Sequence, residues 1–453
     1  MMTPVAPPLY YKVAISLLAP IYRMMVKKKS RHRPTLTREL GERFGERYLP
    51  APKADRGVIW CHAVSLGELN TAYPLLKKLL DAGFGLWISS TTQTGFERAS
   101  RLFADEIEQS RVSHSFVPVD TLPVIERFMA QVNPVAVLFI ETELWANTLY
   151  ACKTRGIASL MINARLSEKS YQGYAKITKV SQSMMANLDK IIAQDRLYAE
   201  RFISLGAKPE QLAVVDSLKW ASIGKLNTVQ EQLAADTAKQ IHQAGRRAVW
   251  VMASTHDGEE RLALDTHRLV IDKLQSLSNN QANPLMILVP RHPERFDQVA
   301  EICLQSGLST VRRSMNPVIS ADTQVLLADS MGELLSWYQV ADYAVVGGSF
   351  VPMGGHNPIE AIGLGTPVIM GSYDENCKEL VKDLKKVGAL AQIDAQSDDV
   401  VHNLAEGIIQ AYGYHWSGEQ GMKLVAQKQQ AVDSQFAIII DAISNDPQAK
   451  DVS

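Results

Sequence analysis

Carboxylates, cations and glycine-rich turns stand at the ends of apolar runs in this chain. Glu68 follows the run VIWCHAV, within the turn opened by Ser65-Leu66-Gly67. A carboxylate at a strand's carboxyl end suits a general base facing a cleft. It equally suits a first-turn residue that only stabilises a helix dipole. Glu141 and Glu143 follow VAVLFI. One of the two is expected to face a site. Lys219, in VVDSLKW, offers a cation to a carboxylate or phosphate; a solvated lysine fits the same position. Pro290-Arg291-His292 follow LMILV, where a guanidinium grips a phosphate with two parallel hydrogen bonds. Met331-Gly332-Glu333 open a helix after another strand, with N–H groups available to a base or sugar. Ser254-Thr255-His256 end a further strand, and His256 reads as a hydrogen-bonding wall residue rather than a base.

The segment Gly347–Gly371, GGSFVPMGGHNPIEAIGLGTPVIMG, passes from an apolar strand into a glycine-rich loop and then a helix. Asn357 suits the N-cap, Pro358 the first helical position, and Glu360 completes a capping box three residues on. Ile359 lies in the same first turn. Such a terminus aims free N–H groups at the loop, where an anion can sit. An ordinary capped helix has the same sequence signature. No Asp-x-Asp, no P-loop and no G-x-G-x-x-G fingerprint occurs, so metal-dependent single-domain transferases and simple dinucleotide or P-loop sites lose support.

These residues must be positioned by more than one domain, because 453 residues exceed the usual size of one. The composition, 46% hydrophobic and 21% charged, is that of a globular protein with ample core. A net charge of −1 gives no field that would draw nucleic acid. Four widely spaced cysteines without a C-x-x-C pair argue against zinc or a disulfide framework and suit a reducing compartment. Leu9–Val26 is apolar but interrupted by Lys12, Pro20 and Arg23, and KKKSRHRP follows. The run is at the short edge of what spans a bilayer, and its charge lies after it, unlike a cleaved signal peptide. A marginal signal-anchor and an interfacial helix both fit, each with the basic cluster against anionic lipid on the cytoplasmic side. A packing helix with a solvated basic loop remains open too.

Strand-like and helix-like segments alternate from Gly57 to Lys219, and again from Ala248 to Met370. That pattern predicts two doubly wound α/β domains with parallel sheets, whose ligands bind at the carboxyl ends of strands. The expected division is residues 1–33 (anchor and basic segment), 34–220, a linker or peripheral helix at 221–245, and 246–453, with a last long helix over 416–445.

Taken together, the motifs resemble the 3-deoxy-D-manno-octulosonic acid (Kdo) transferases. The resemblance runs through ELGERFGERY, HAVSLGELNTAYPLL, ETELWANTL, INARLSEKSYQGYAK, ASTHDGEE, LVPRHPERF, MGELLSWYQVADYAVVGGS and GGHNPIEA. It implies a GT-B type glycosyltransferase, with two Rossmann-like domains facing a central cleft and an N-terminal membrane-anchor helix. It also implies Kdo transfer from CMP-Kdo to lipid IVA in lipopolysaccharide assembly, with inversion and without metal or cofactor, at the cytoplasmic face of the inner membrane. By the same resemblance Glu68 is the base, and Glu141 and Lys219 stabilise the transition state. CMP then contacts Pro290, Arg291, His292, Met331, Gly332, Glu333, Asn357, Pro358, Ile359 and Glu360. Membrane lipid would meet residues 9–33, and no nucleic acid is implied. Three segments depart from the family pattern: Asp216–Ala221, Ala146 in ELWAN, and Ser372–Cys377. The alternatives are a transferase of the same fold using another nucleotide sugar, and a silent nucleotide- or lipid-binding scaffold.

Overall fold

A computed structural model describes residues 3–221, 226–245, 247–277, 283–413 and 418–444. The chain divides into two compact units, Met1–Ser222 with Lys428–Ser453, and Ile223–Gln427.

In the first unit the strands are β1 (Val58–Ala63), β2 (Gly85–Ser90), β3 (Val112–Phe116), β4 (Pro134–Ile140), β5 (Ala158–Ala164), β6 (Lys190–Ala193) and β7 (Leu212–Val214). All pairings are parallel, in the order β3-β2-β1-β4-β5-β6-β7. Helices cover both faces, so the central strands are apolar throughout rather than alternating. Within β1, Val58 and Trp60 join one core, while Ile59, Cys61 and Ala63 join the other. The second unit contains β8 (Val249–Thr255), β9 (Leu285–Pro290), β10 (Thr310–Arg312), β11 (Val325–Leu327), β12 (Tyr343–Val346), β13 (Val368–Gly371) and β14 (Leu390–Ile393). These are also parallel, in the order β10-β11-β9-β8-β12-β13-β14. Strand order therefore reverses once in each unit, between β1 and β4 and between β8 and β12. At such a point the crossover helices leave to opposite sides, and a crevice opens beyond the strand ends.

The N-terminal helix spans Leu9–Lys29, with Pro20 inside it. The expected membrane-anchor helix is not found. No helix among the described residues is long and apolar enough to cross a membrane. The reason is chemical: Lys12 and Arg23 interrupt the run, and Lys27, Lys28 and Lys29 close it. One face of this helix packs on the first unit through Tyr11, Tyr22 and Val26. The opposite face leaves Leu9, Tyr10, Val13, Leu17, Leu18, Ile21, Met24 and Met25 exposed. The expected single helix at 416–445 is two helices among the described residues, Glu419–Gln429 and Ala431–Ser444.

Asp120 fixes the N-terminal helix. It is 1% exposed. Its carboxylate accepts hydrogen bonds from Tyr11 Oη (2.8 Å), Asn147 N (3.0 Å), Thr148 N (2.8 Å) and Thr148 Oγ1 (2.7 Å). Burial pushes its carboxyl up to about 6, against the pull of those donors. Replacing one oxygen by an amide sets N–H against N–H in a site closed to water. Asp120→Asn is expected to cost about 2–4 kcal/mol, and Tyr11→Phe about 1 kcal/mol, read as graded falls in Tm.

Candidate functional site

In the first unit the helix Leu66–Asp81 starts where β1 ends. Ser65 is its N-cap, accepting from Glu68 N at 3.4 Å. The Glu68 carboxylate turns back, and its Oε2 accepts from Val64 N at 2.7 Å. Glu68 is thus fixed at the reversal point rather than left on the helix surface. Its carboxyl is pushed up to about 7, first by burial and further by the charges of Glu141 and Glu143, while the Val64 N–H pulls it down.

Glu141 follows β4 with φ of 64°. A left-handed backbone is uncommon for a side chain of this size and clusters at functional sites. Its carboxylate lies 3.8 Å from the Arg165 guanidinium. The turn is tied down by Thr142, whose hydroxyl donates to Arg165 O at 2.7 Å, and by Tyr174, whose hydroxyl donates to Thr142 O at 3.1 Å. The kink directs the next acid, Glu143, into a cavity of about 430 Å³, whose lining includes Val64, Glu68, Thr142, Glu143, Tyr174 and Ile177. Burial holds the Glu143 carboxyl at about 7, with Arg43 opposing. Of the two acids separated by one residue, Glu143 lines the cavity; Glu141 acts on Glu68 through its field.

Arg43 belongs to the ELGERFGERY segment. It is buried, donates from Nε to Glu39 at 3.0 Å and from Nη2 to Thr91 O at 2.6 Å, and lies over the Phe116 ring. Lys219 lies in the short turn Leu218–Ala221 and is not among the cavity residues. The departures around it have local partners. Asp216 pairs with Lys428 at 2.5 Å, and the same ammonium lies over the Trp220 ring.

In the second unit, β8, β9 and β12 deliver His256, Arg291-His292 and Gly347-Gly348 to one edge. A carboxylate absent from the sequence reading organises it. Glu259 is fully buried and accepts from His256 N (2.9 Å), Gly348 N (2.8 Å) and Phe350 N (3.0 Å). Burial pushes its carboxyl up despite these donors. A Cβ on Gly347 would lie 2.7 Å from Ser254 O and 2.9 Å from this carboxylate, so the close approach requires glycine. Next to it Glu260, also buried, binds Thr255 Oγ1 at 2.8 Å and both terminal nitrogens of Arg295, at 2.7 and 3.2 Å. Only an adjacent acidic pair after an apolar strand signalled these residues.

The capping box expected at Asn357–Glu360 is not formed. The helix is Ile359–Gly363, only five residues, with Pro358 in the capping position. Asn357 Oδ1 accepts from Ile359 N at 3.0 Å. The hydrogen-bonded span is two residues rather than three, because Pro358, at helical φ and ψ, already starts the turn. The Glu360 carboxylate makes no side-chain hydrogen bond among the described residues. Burial pushes it up, and Arg291 counters. Glu333 is held by Arg313 at 2.9 Å and by Ser330. Gly332 has φ of 80°, and its carbonyl accepts from Gln230 at 2.6 Å. Met331 is exposed, Pro290 buried, and Arg291 exposed. The divergent segment 372–377 buttresses the glycine loop. Tyr373 N donates to Ser349 O, Asn376 N to Gly354 O and Asn376 Nδ2 to Met353 O.

A like charge beside Glu68 raises its proton affinity, so Glu143→Gln is expected to move the Glu68 titration downward from about 7. It should stay above the ordinary carboxylate range, because burial persists. Infrared carboxyl bands, assigned by difference against Glu68→Gln, measure both values.

Comparison with known proteins adds the following. Residues 38–222 match the family model described as 3-Deoxy-D-manno-octulosonic-acid transferase (kdotransferase). The 3-deoxy-D-manno-octulosonic acid transferase of Haemophilus influenzae is 34% identical over 394 residues, covering 86% of this chain and 88% of that protein. The enzyme of the same name from Bordetella pertussis is 33% identical, covering 84% and 86%. Among solved structures, UDP-GlcNAc 2-epimerase from Neisseria meningitidis superposes with a TM-score of 0.51 at 11% identity, covering 85% of this chain and 99% of that one. That likeness concerns the fold.

Proposed function

The chain belongs to the 3-deoxy-D-manno-octulosonic acid transferase family of glycosyltransferases, and from that premise we propose that it moves Kdo from CMP-Kdo onto lipid IVA, with inversion and with Glu68 as general base. The observation that carries the reading is the Glu68 carboxylate. It is clamped by Val64 N–H at the β1 end, lines the cavity, and has a proton affinity near 7. A base is most effective when its proton affinity lies near the working pH.

In this reading the acceptor sugar occupies the cavity of the first unit and its hydroxyl gives a proton to Glu68. The bond from Kdo to the CMP phosphate breaks with oxocarbenium character. Glu141 and Lys219 stabilise the charges that develop. The second unit holds CMP through Pro290, Arg291 and His292, through Met331, Gly332 and Glu333, and through Asn357 to Glu360. No metal or cofactor is needed in the proposed chemistry. Glu360, without a capping duty, is available to ribose hydroxyls.

The exposed apolar face of the N-terminal helix, followed by Lys27, Lys28, Lys29, Arg31 and Arg33, supports lying on an anionic membrane surface. The apolar side would enter the head-group boundary and the cations would meet lipid phosphates. In this reading the enzyme works at the cytoplasmic face of the inner membrane, beside its proposed lipid acceptor.

Two experiments test these readings. Purified protein with CMP-Kdo and lipid IVA should yield Kdo-bearing lipid by mass spectrometry, and Glu68→Ala should lower the rate by about 10²–10⁴-fold. At saturating CMP-Kdo the wild-type kcat/KM for the acceptor should rise with pH through about 7, since the base must first lose its proton. No product from folded wild type would refute the donor–acceptor assignment. Separately, Leu17→Ser/Leu18→Ser/Ile21→Ser should weaken co-sedimentation with anionic vesicles while leaving Tm unchanged. Unaltered sedimentation would remove the interfacial role.

A further inference from the structure

Two histidines that the proposed nucleotide contacts leave out share one hydrogen bond at the reversal point of the second sheet. His256 follows β8, and His356 lies in the glycine-rich loop after β12. Their Nε2 atoms are 2.8 Å apart. The rings lie nearly coplanar and head to head, 8° apart with centroids 5.0 Å apart, and His292 meets His256 edge-on at 5.2 Å. The arrangement is built from below. Glu259 holds His256 N and Gly348 N, and Gly348, at φ of 66°, carries the rings above it. A Cβ there would lie 3.0 Å from His356 Cδ2. Cys377 Sγ donates to His356 O at 3.6 Å.

A bond between two Nε2 atoms requires one proton between them. In a neutral pair one ring donates from Nε2 and the other then carries its proton on Nδ1. The pair therefore offers one further N–H. Adding one proton leaves the shared bond intact and gives both Nδ1 atoms a hydrogen, so the pair offers two donors and a positive charge. Resting on the nucleotide-donor reading above, we propose that the His256–His356 pair is a proton-loaded receptor for the donor's phosphate, taking up about one proton as the nucleotide binds.

The surrounding charges set the sign. Around His256 stand His292, Arg291 and Arg295, with Glu260 opposing; Arg295 is already paired with Asp257 and Glu260, and His292 lies 3.6 Å from Glu294. Around His356 stand Arg291, His256 and His292, and Glu360 opposes Arg291. Burial first, then these cations, push His356 down to about 4 and hold His256 below its ordinary value. Without ligand the pair is neutral at pH 7. A bound phosphate offsets the cations and raises the proton affinity, so binding draws a proton in and weakens as pH rises.

The test is isothermal titration of the full-length protein with the 5′-methyl phosphodiester of cytidine, whose phosphate does not titrate near neutrality, and with CMP. Buffers of different ionisation enthalpy report protons taken up per ligand bound. Wild type is expected to take up about one proton at pH 7 with the diester, and its Kd should rise by up to about tenfold per pH unit above that. His256→Gln and His356→Gln should each abolish the proton uptake per ligand bound, whereas His292→Gln, although it weakens binding as a nucleotide contact, should retain the uptake per ligand bound. Diester binding with no buffer dependence in wild type overturns the proposal, whether or not the variants fold. Uptake lost only in His292→Gln overturns it as well. Failure of both ligands to bind refutes the cytidine-nucleotide reading itself.

Discussion

Parallel pairing is the constraint on which both halves of this protein depend. A parallel sheet sends every strand's carboxyl end, and the amino end of every following helix, to the same edge. Where strand order reverses, that edge is uncovered. Glu68 and the Glu141–Glu143 turn leave the two strands flanking the reversal in the first sheet. His256 and Gly348 do the same in the second, with Arg291 one strand away. Residues 73 to 75 positions apart in one unit and 92 in the other are brought together by topology, without any local sequence signal.

Such an edge gathers charge that must be satisfied away from water. Glu259 is saturated by three backbone N–H groups and Glu260 by a hydroxyl and a guanidinium. Asp120 takes four donors, and Arg43 is bonded to Glu39 and to the Thr91 carbonyl. Fully bonded buried charges fix geometry, because removing one partner strands the other. Glu68 and Glu143 differ. They line a cavity rather than being closed in by donors, although burial raises their proton affinity as it raises that of Asp120 and Glu259. That contrast separates carboxylates that build the scaffold from those available to react.

The central strands were legible because burial on both faces writes them as unbroken apolar runs: β1, β4, β8, β9 and β12 stand where the sequence predicts. The short outer strands β3, β10 and β14 were not. VSHSF and TVR carry polar residues, and edge strands have one neighbour and partial exposure. Two acids separated by one residue would share a face of an extended chain, so the spacing of Glu141 and Glu143 favoured neither. The left-handed backbone at Glu141 breaks that parity and sends Glu143 to the cavity. At Asn357 the residue types were right and the register was off by one, because a proline can stand at the cap as well as inside it. Glu259 organises the site through Gly348 and Phe350, and His356 through His256, partners far along the chain that no local pattern encodes. The family resemblance named the chemistry; it did not supply these geometries.

The Asp120 carboxylate has a mechanical consequence. It ties the N-terminal helix, through Tyr11, to Asn147 and Thr148, in the helix that starts three residues beyond Glu143. Val5 adds a second fixing, its backbone bonded to Ser183 and Asn187. The helix is a keel rather than a tether. A flexible leash would let the unit roll and sample every height above whatever apolar surface meets the exposed stripe. A keel bolted beside the cavity wall fixes both draught and heading, so the depth at which that stripe settles also sets the depth at which the cavity opens.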